Sequence, residues 1–438
     1  MIPRVFAIAR LAIRAAIRSR LVLTLAALLL LALAGLPGWM RSDGTAQGLL
    51  TLLVGHTLGV CLFLLAATSL WAGCAAVAAE RSAGTATLTV VKPVRPLELW
   101  FGKWLGIMAI NAVLLGAVMA GLRIQLLLRA SELPGDWRRC DRVVPCILPD
   151  PTQEADQALR TLRAEGRLPT NRPVATLRAE LTQEARNRYT LIQPGETQTW
   201  RFRLPPRADG IAPTVRAVFE TQYGLREASA MTLSAQAVQP SHSEASFTIH
   251  ETLMAGEPLV RALPPFTSAS GGLVDIAFHL DPGAPTPLLL HPGRNLALLL
   301  PDGSFARNLV YAALLLLAVL SALTACGLAL GCCFSFPVAS FAAVVLILLG
   351  LLGSRATADA TDLAEARGAG ERIGLQIVRC AGSVTRPLVS ASPITQLTRR
   401  EAIPLRSLGQ PLWIGFLALP ALLAWGSARV LKRRENGA

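Results

Sequence analysis

Charge is missing from long parts of this chain. Only 16% of its 438 residues are charged and 52% are hydrophobic, which is not the balance of an ordinary soluble protein. The deficit is local, because five stretches contain no Asp, Glu, Lys or Arg. They lie between Arg20 and Arg41, Asp43 and Glu80, Lys103 and Arg123, Arg307 and Arg355, and Arg406 and Arg429. This distribution indicates membrane spans.

About 20 apolar residues cross the hydrocarbon core of a bilayer as a helix. The run after Arg307 is too long for one span, and the segment 331–337 within it suits a turn between two helices. The alternative for the first run is a cleavable signal peptide, but Trp39, Met40 and Arg41 form a poor cleavage site. We therefore predict a polytopic α-helical membrane protein with six spans, near residues 21–40, 50–79, 104–122, 309–331, 337–354 and 411–428.

Motifs of several enzyme and metal-binding classes are also missing. The chain has no Gly-x-x-x-x-Gly-Lys-Ser/Thr sequence to hold ATP phosphates, no His-x-x-x-His and no Gly-x-Ser-x-Gly. Sulfur ligands suit a copper path through the spans, but no Cys-x-x-Cys or Met-x-x-Met spacing occurs, which favours packing. The residues weighed for that path are Cys61, Cys74, Cys326, Cys332, Cys333, Met108 and Met119. We expect neither catalysis nor a cofactor or metal in this chain.

Basic residues predict the orientation, because short cytoplasmic loops are rich in Lys and Arg. The N-terminal segment 1–20, the island 80–103 and the C-terminal tail are all basic, and six spans place all three on one side. Both termini are then cytoplasmic. The Arg-containing loop 355–410 falls outside, against the rule. The net charge of +14 follows from this bias, and no basic stripe with interleaved aromatics indicates a nucleic-acid partner.

A long insertion separates the third and fourth spans. Residues 129–307 are predicted to form an extracytoplasmic α+β domain that is helical over 152–189 and β-rich over 195–300. Short alternating runs between Pro and Gly clusters, such as Thr197–Leu204 and Leu273–Leu280, are typical of a β-sandwich. An oxidising compartment would let Cys140 and Cys146 form a disulfide, which leaves Cys380 as an odd external thiol.

Other features concern the membrane itself. Arg10, Arg14 and Arg18 recur every fourth residue, so 1–20 is predicted to form an amphipathic helix at the cytoplasmic interface, in contact with lipid. His56 and Asn111 are polar groups inside spans two and three. They either line a substrate path or form hydrogen bonds between helices.

The island between spans two and three carries the most specific pattern. Gly84 and Thr85 permit a turn, Lys92 and Pro93 stop a short helix, and Pro96 starts another with Glu98 in its first turn. Such an element presents charges and a few apolar side chains to a cytoplasmic partner. It is predicted to be a docking surface.

The island resembles a loop of the type-2 permease subunits of ATP-binding-cassette (ABC) exporters. The matching residues are Glu80, Arg81, Gly84, Thr85, Lys92, Pro93, Val94, Arg95, Glu98, Gly102, Lys103 and Gly106. The resemblance extends to the Arg-rich N-terminal helix, the hairpin 308–354, the segment Ser392–Leu397 and the basic tail. The simplest family members lack an insertion like 129–307.

The resemblance implies that the permease and the ATPase are separate subunits. In the family this loop is the coupling helix, which sits in a cleft of a separate ATPase subunit that binds ATP and Mg²⁺. The resemblance also implies a second permease, either another copy of this chain or a homologue, and a multi-pass exporter in a bacterial inner membrane. The alternative is a mechanical complex whose ATPase cycle moves the external domain against a periplasmic protein partner without solute transport. A membrane receptor outside the ABC class would require the island's match to be accidental.

Overall fold

The computed structural model describes residues 2–40, 44–82, 95–167, 174–205, 211–221, 228–238, 247–265, 272–293, 295–345 and 392–435. The chain divides into two compact units. One comprises Met1–Cys140 with Gly303–Ala438, and the other comprises Asp141–Asp302.

The first unit is helical. Its elements are α1 (Ile2–Arg18), α2 (Leu21–Trp39), α3 (Ala46–Leu50), a π-helical turn (Thr51–His56), α4 (Thr57–Ser82), α5 (Pro96–Leu128), α8 (Phe305–Cys333), α9 (Phe336–Val345), α10 (Pro393–Thr398), α11 (Leu405–Trp413), a second π-helical turn (Ile414–Ala418) and α12 (Leu419–Glu435). The helices α6 and α7 belong to the second unit. Long uncharged runs form these helices because a helix satisfies its backbone hydrogen bonds internally.

Within the described residues, five helical stretches are long and apolar enough to cross a membrane. They are Leu21–Trp39, Ala46–Ala78, Pro96–Leu128, Phe305–Cys333 and Leu405–Val430. They correspond to the predicted spans one to four and six. The predicted span 337–354 begins as the shorter apolar helix Phe336–Val345, and its remainder lies outside the described residues. The sixth span stays a prediction, as does the external loop 355–410, most of which is not described.

Helix α8 lies at the centre of this unit and contacts α4 through backbone rather than long side chains. A Cβ atom on Gly331 would lie 2.6 Å from the carbonyl oxygen of Cys74, and one on Gly73 would lie 2.8 Å from that of Thr324. Small residues are what permit helices to approach this closely in membranes. We call this contact the α4–α8 seam.

Asn308, near the start of α8, ties the segment after α10 to the bundle. Its Nδ2 donates to the Glu401 carbonyl oxygen at 2.8 Å, and its Oδ1 accepts from the Ile403 N–H at 2.7 Å. Gln47 Nε2 donates to the Thr398 carbonyl oxygen at 3.0 Å. These side chains satisfy backbone groups that a short helix and its turn leave unpaired.

The second unit contains a helical pair and antiparallel sheets. The helices are α6 (Pro151–Ala164) and α7 (Val174–Arg188), as expected for 152–189. The strands are β1 (Arg139–Val144), β2 (Cys146–Ile147), β3 (Leu191–Ile192), β4 (Thr197–Arg203), β5 (Thr214–Val218), β6 (Glu220–Thr221), β7 (Ala228–Val238), β8 (Phe247–Met254), β9 (Pro258–Ala262), β10 (Leu273–Leu280), β11 (Leu288–Leu289) and β12 (Leu296–Ser304). The sheet orders are β1-β12-β5-β9, β2-β4-β10-β7-β8 and β3-β11-β6.

The two larger sheets contribute to one hydrophobic core. Burial alternates along β10 and β5, so every second side chain points inward. Trp200 and Phe278 from the five-stranded sheet and Val215 and Leu298 from the four-stranded sheet belong to the same buried cluster. The two larger sheets therefore share one core in this β-rich unit.

The α4–α8 seam gives a stability prediction. Gly73→Ala should lower the free energy of unfolding by about 1–3 kcal/mol, because the backbone of α8 must shift to admit the methyl group. Thermal unfolding of the purified chain in detergent measures this. Gly59→Ala in the same helix is the matched control, since a Cβ there meets nothing within 4 Å. Equal melting temperatures of the two variants would contradict the seam.

Candidate functional site

The structure describes both ends of the island. Glu80 and Arg81 lie in the last turn of α4, while Gly84, Thr85, Lys92 and Pro93 lie outside the described residues. Four further residues of the pattern belong to the start of α5: Arg95, Glu98, Gly102 and Lys103. The described part of the site is therefore the end of α4 and the first turns of α5.

The start of α5 is fixed by its first residues. Arg95 is extended and caps the helix, Pro96 occupies the first turn, and the Arg95 N–H donates to Glu98 Oε2 at 3.2 Å. Pro suits this position because its missing N–H would have no helical partner. The start predicted at Pro96–Glu98 is thereby confirmed.

Glu98 also connects α5 to α1. Its side chain is only 3% exposed, and Arg4 Nη1 lies 4.0 Å from Glu98 Oε2. A buried carboxylate requires such partners, because leaving it unpaired costs several kcal/mol, on the order of the penalty for an isolated ion in a protein interior. The pair therefore fixes the beginning of α1 against the beginning of α5.

Two glycines let α1 lie directly on α5. A Cβ on Gly102 would lie 2.6 Å from the Ile8 side chain, and one on Gly106 would lie 2.9 Å from the Ala9 carbonyl oxygen. Contacts advance along both helices in the same direction, from Arg4 at Glu98 to Ala9 at Gly106. The two helices run side by side, which gives Gly102 and Gly106 a packing role.

Lys103 links the two sides of the island. Its side chain is buried, with the residue 5% exposed, and Nζ donates to the Ala76 carbonyl oxygen on α4 at 2.5 Å. A cation near the C-terminal end of a helix is favoured by the helix dipole. Helix α4 precedes the island in the chain and α5 follows it, so this hydrogen bond joins the two helices that flank the island.

A hydrophobic cluster surrounds this link. It is formed by Val77, Trp100, Ala325, Leu328, Cys332 and Ala424, and we call it the end cluster. The rings of Trp100 and Phe101 meet edge to face at 5.2 Å, and those of Phe101 and Trp104 at 6.3 Å. The end cluster joins α4, α5, α8 and α12, so a displacement of α5 at the island would reach all four helices.

His56 and Asn111 have different surroundings. His56 is exposed at the end of the first π-helical turn, whereas Asn111 is buried in α5. Within the described residues, Asn111 Nδ2 has no hydrogen-bond partner. The two side chains therefore have different surroundings within this chain, and a substrate path lined by both stays a prediction.

The cysteines of the insertion are not bridged in the structure. Neither Cys140 nor Cys146 belongs to a disulfide. Cys140 is buried in the core that contains Trp137 and Phe305, whereas Cys146 packs against the core of the second unit. Burial raises the pKa of the Cys146 thiol to about 11. Cys380 lies outside the described residues.

Sequence reasoning missed Arg4 and Asn308. In the sequence Arg4 is only one member of a basic segment, and no local pattern predicts that it pairs with a residue on α5. The signal for Asn308 was a single amide at the start of a long apolar run. Within the described residues, no group of three or more His, Cys, Asp or Glu side chains could hold a metal ion.

Comparisons with known proteins add no relative. No protein-family model matches the chain, and no curated protein sequence or solved structure matches it either.

The Glu98 contacts predict a change in α1. Glu98→Ala removes the acceptor for the Arg95 N–H and the partner of Arg4, so α1 should detach more often and trypsin should cleave faster at Arg10 and Arg14. Glu98→Gln keeps the acceptor, so its cleavage rate should lie between those of Glu98→Ala and the unsubstituted chain. The cap alone should contribute about 1 kcal/mol. Cleavage rates identical to those of the unsubstituted chain would refute the role of Glu98.

A thiol count tests the cysteine arrangement. The denatured chain, never exposed to reductant, should react with a maleimide at all eight of its cysteines. Mass spectrometry reads the number of adducts. Two fewer adducts, restored by reduction and assigned to the peptides with Cys140 and Cys146, would show that the disulfide forms after all.

Proposed function

We propose that this chain is the permease subunit of an ABC exporter in a bacterial inner membrane, with both termini in the cytoplasm. The observation that carries the proposal is the island, whose sequence resembles a coupling helix. It is flanked by α4 and α5, and the hydrogen bond from Lys103 Nζ to the Ala76 carbonyl oxygen joins these two helices. The five described helices able to cross a membrane support a transport role.

ATP hydrolysis would take place on a separate subunit. The chain lacks a phosphate-binding P-loop: Gly102 and Lys103 are followed by Trp104, and no glycine stands at position 97. The partner ATPase would supply both the nucleotide and the Mg²⁺ sites. The island would bind that partner through the charges around Glu80, Arg81 and Arg95.

The packing around the island supports a mechanical form of coupling. Movement of the ATPase would act on the island and pass to α4 through Lys103 and to α8 and α12 through the end cluster. Helices that pack this tightly move as bodies, so a displacement at one end is not lost in side-chain adjustment. The substrate would cross as the spans rearrange.

A second permease would complete the complex. His56, Val60, Phe63 and Trp71 follow the helical repeat on one exposed face of the second span. An ionisable side chain facing lipid is costly, and such residues usually face protein or a water-filled cavity. This face therefore favours contact with a second copy or a homologue over contact with lipid alone.

The second candidate function is the mechanical complex without solute transport. The observation that favours it is the separate unit Asp141–Asp302 with its own hydrophobic core, which a simple path through the spans does not require. In that case the ATPase cycle would move this unit against a periplasmic protein. Vesicles that hydrolyse ATP without accumulating any added substrate, while the unit retains a specific protein partner, would favour it.

Replacing charges at the island should weaken ATPase docking. We expect Glu80→Ala combined with Arg95→Ala to reduce co-purification of the proposed partner ATPase. Arg123→Ala, at the opposite end of α5, is the control and should leave co-purification unchanged. Undiminished association and undiminished ATP-dependent activity of the double variant would remove the docking assignment.

Lys103 separates docking from transmission. Lys103→Met should leave ATPase association intact but reduce the permease-dependent stimulation of ATP hydrolysis in vesicles by about tenfold, equal to about 1.4 kcal/mol of coupling. Lys103→Arg keeps the charge and should retain more of the stimulation. Full stimulation of ATP hydrolysis by a folded Lys103→Met variant would show that the hydrogen bond to Ala76 does not contribute to coupling.

A further inference from the structure

The five-stranded sheet of the second unit has one edge that is only partly covered. Strand β2 contains two residues, and they pair with Arg201 and Phe202 of β4. Pro149 follows soon after β2, and a proline cannot donate a hydrogen bond to extend the ladder. Within the described residues, the stretch Thr197–Trp200 of β4 therefore has β10 on one side and no strand on the other.

The uncovered side of this stretch carries unpaired main-chain groups. In an antiparallel pair, hydrogen-bonded residues alternate with residues whose N–H and C=O groups point away from that partner. The Leu204 N–H, directly after β4, donates to the Gly272 carbonyl oxygen on the β10 side at 3.0 Å. Even-numbered residues of β4 therefore face β10, whereas Thr197 and Thr199 face the uncovered side. Within the described residues, their N–H and C=O groups have no main-chain partner there.

A cavity of about 380 Å³ lies beside this stretch. It is lined by Leu148 and Pro149 after β2, by Thr199 and Trp200 of β4, and by Tyr189 after α7. The space between Pro149 and Thr199, where a longer β2 would have continued, is therefore open. Most of this lining is aliphatic or aromatic, so the cavity suits an apolar side chain.

The charges near the uncovered stretch are already paired. Arg201 Nε donates to Asp275 Oδ1 at 2.7 Å, and Arg201 Nη2 donates to Asp275 Oδ2 at 2.8 Å. The segment Thr197–Thr199 itself contains no charge and no proline. By contrast, the opposite edge strand β8 contains Glu251, which pairs with Arg261. Native proteins protect sheet edges with charges and prolines, and the uncovered stretch of β4 lacks this protection.

We propose that this stretch of β4 binds an extended, proline-free segment of a second protein, which adds as a strand beside β4 in line with β2. The N–H and C=O groups of Thr197 and Thr199 hydrogen-bond to the main chain of the segment. One aliphatic or aromatic side chain of the segment enters the cavity against Leu148 and Tyr189. In strand addition of this kind, main-chain hydrogen bonds provide affinity and side-chain pockets provide specificity.

The positions of the unpaired groups favour a peptide over a small ligand. A small ligand fills the cavity, but Thr197 does not line the cavity and its main-chain groups would stay unpaired. With the extracytoplasmic position proposed for this unit, the partner is a periplasmic protein. The pairing involves only the unit Asp141–Asp302 and needs no ATPase. Its failure would therefore leave the exporter proposal standing.

The test selects peptides that bind the full chain. Linear peptides of about 12 residues, longer than a typical strand, are displayed on phage and selected on the protein in maltoside detergent, with counter-selection on Thr199→Pro. This substitution removes the outward N–H and no bond to β10, and edge strands accept proline. We expect selected peptides to bind Thr199→Pro about tenfold more weakly than the unsubstituted chain. A library that yields no such peptide would overturn the proposal.

Matched variants separate the main-chain contact from the fold. Thr199→Val keeps the N–H and should bind the selected peptides as the unsubstituted chain does. Leu148→Gln lies outside β4 and should weaken binding through the cavity. Thermal unfolding of each variant checks that the fold is intact.

N-methylation of the peptides tests strand addition without any change to the protein. Methylation of one peptide nitrogen at a time should weaken binding at every second residue, because a strand paired on one side uses alternate N–H groups. Weakening without this alternation would overturn the proposal. Sedimentation showing a dimer of the chain that the peptides dissociate would assign the edge to a second copy, which also overturns it.

Discussion

The helical unit depends on the backbone-to-backbone contact between α4 and α8. Gly73, Gly327 and Gly331 bring the two helices so close that a single methyl group has no room. In a bilayer, association of helices gains little from the hydrophobic effect, because lipid tails are as apolar as leucine, so close packing must supply the attraction. With this pair in place, α8 presents its remaining faces to α5, α10 and α12. The end cluster and the Asn308 tie both form on that central helix.

Much of the fold could be predicted because its physical signals are local. Uninterrupted apolar runs located the described spans, and the alternation in Leu273–Leu280 predicted the bounds of β10 correctly. Two long strands escaped prediction for definite reasons. Strand β7 is built largely from Ala, Ser and Thr, and Ala and Ser carry weak strand preference; pairing on both sides with β8 and β10 stabilises it. The start of β12, Leu296–Leu300, is an apolar run that periodicity alone cannot distinguish from a helix.

The candidate site was predictable only where its residues are neighbours in sequence. The turn from Arg95 through Glu98 follows from Pro and an acid at the start of a helix. By contrast, the partners of Glu98 and Lys103 come from α1 and α4, and only tertiary packing brings them together. The short spacing of Cys140 and Cys146 likewise suggested a disulfide, but the two side chains pack against different hydrophobic clusters and are not bridged. The spacing of residues in the sequence shows which side chains could come into contact, but their burial in the fold determines which of them do.

Helix α5 has a length that matters for how force travels. Its 33 residues form one rod about 50 Å long at about 1.5 Å per residue, whereas the hydrocarbon core of a bilayer is about 30 Å thick. Roughly 20 Å of the rod therefore extends past that core. The ATPase proposed to bind the island would hold one end of this rod, and a tilt of about 5° about the midpoint of the rod would move each end by about 2 Å. Leverage of this kind would convert a small rotation outside the bilayer into displacement at its far side without a hinge in between.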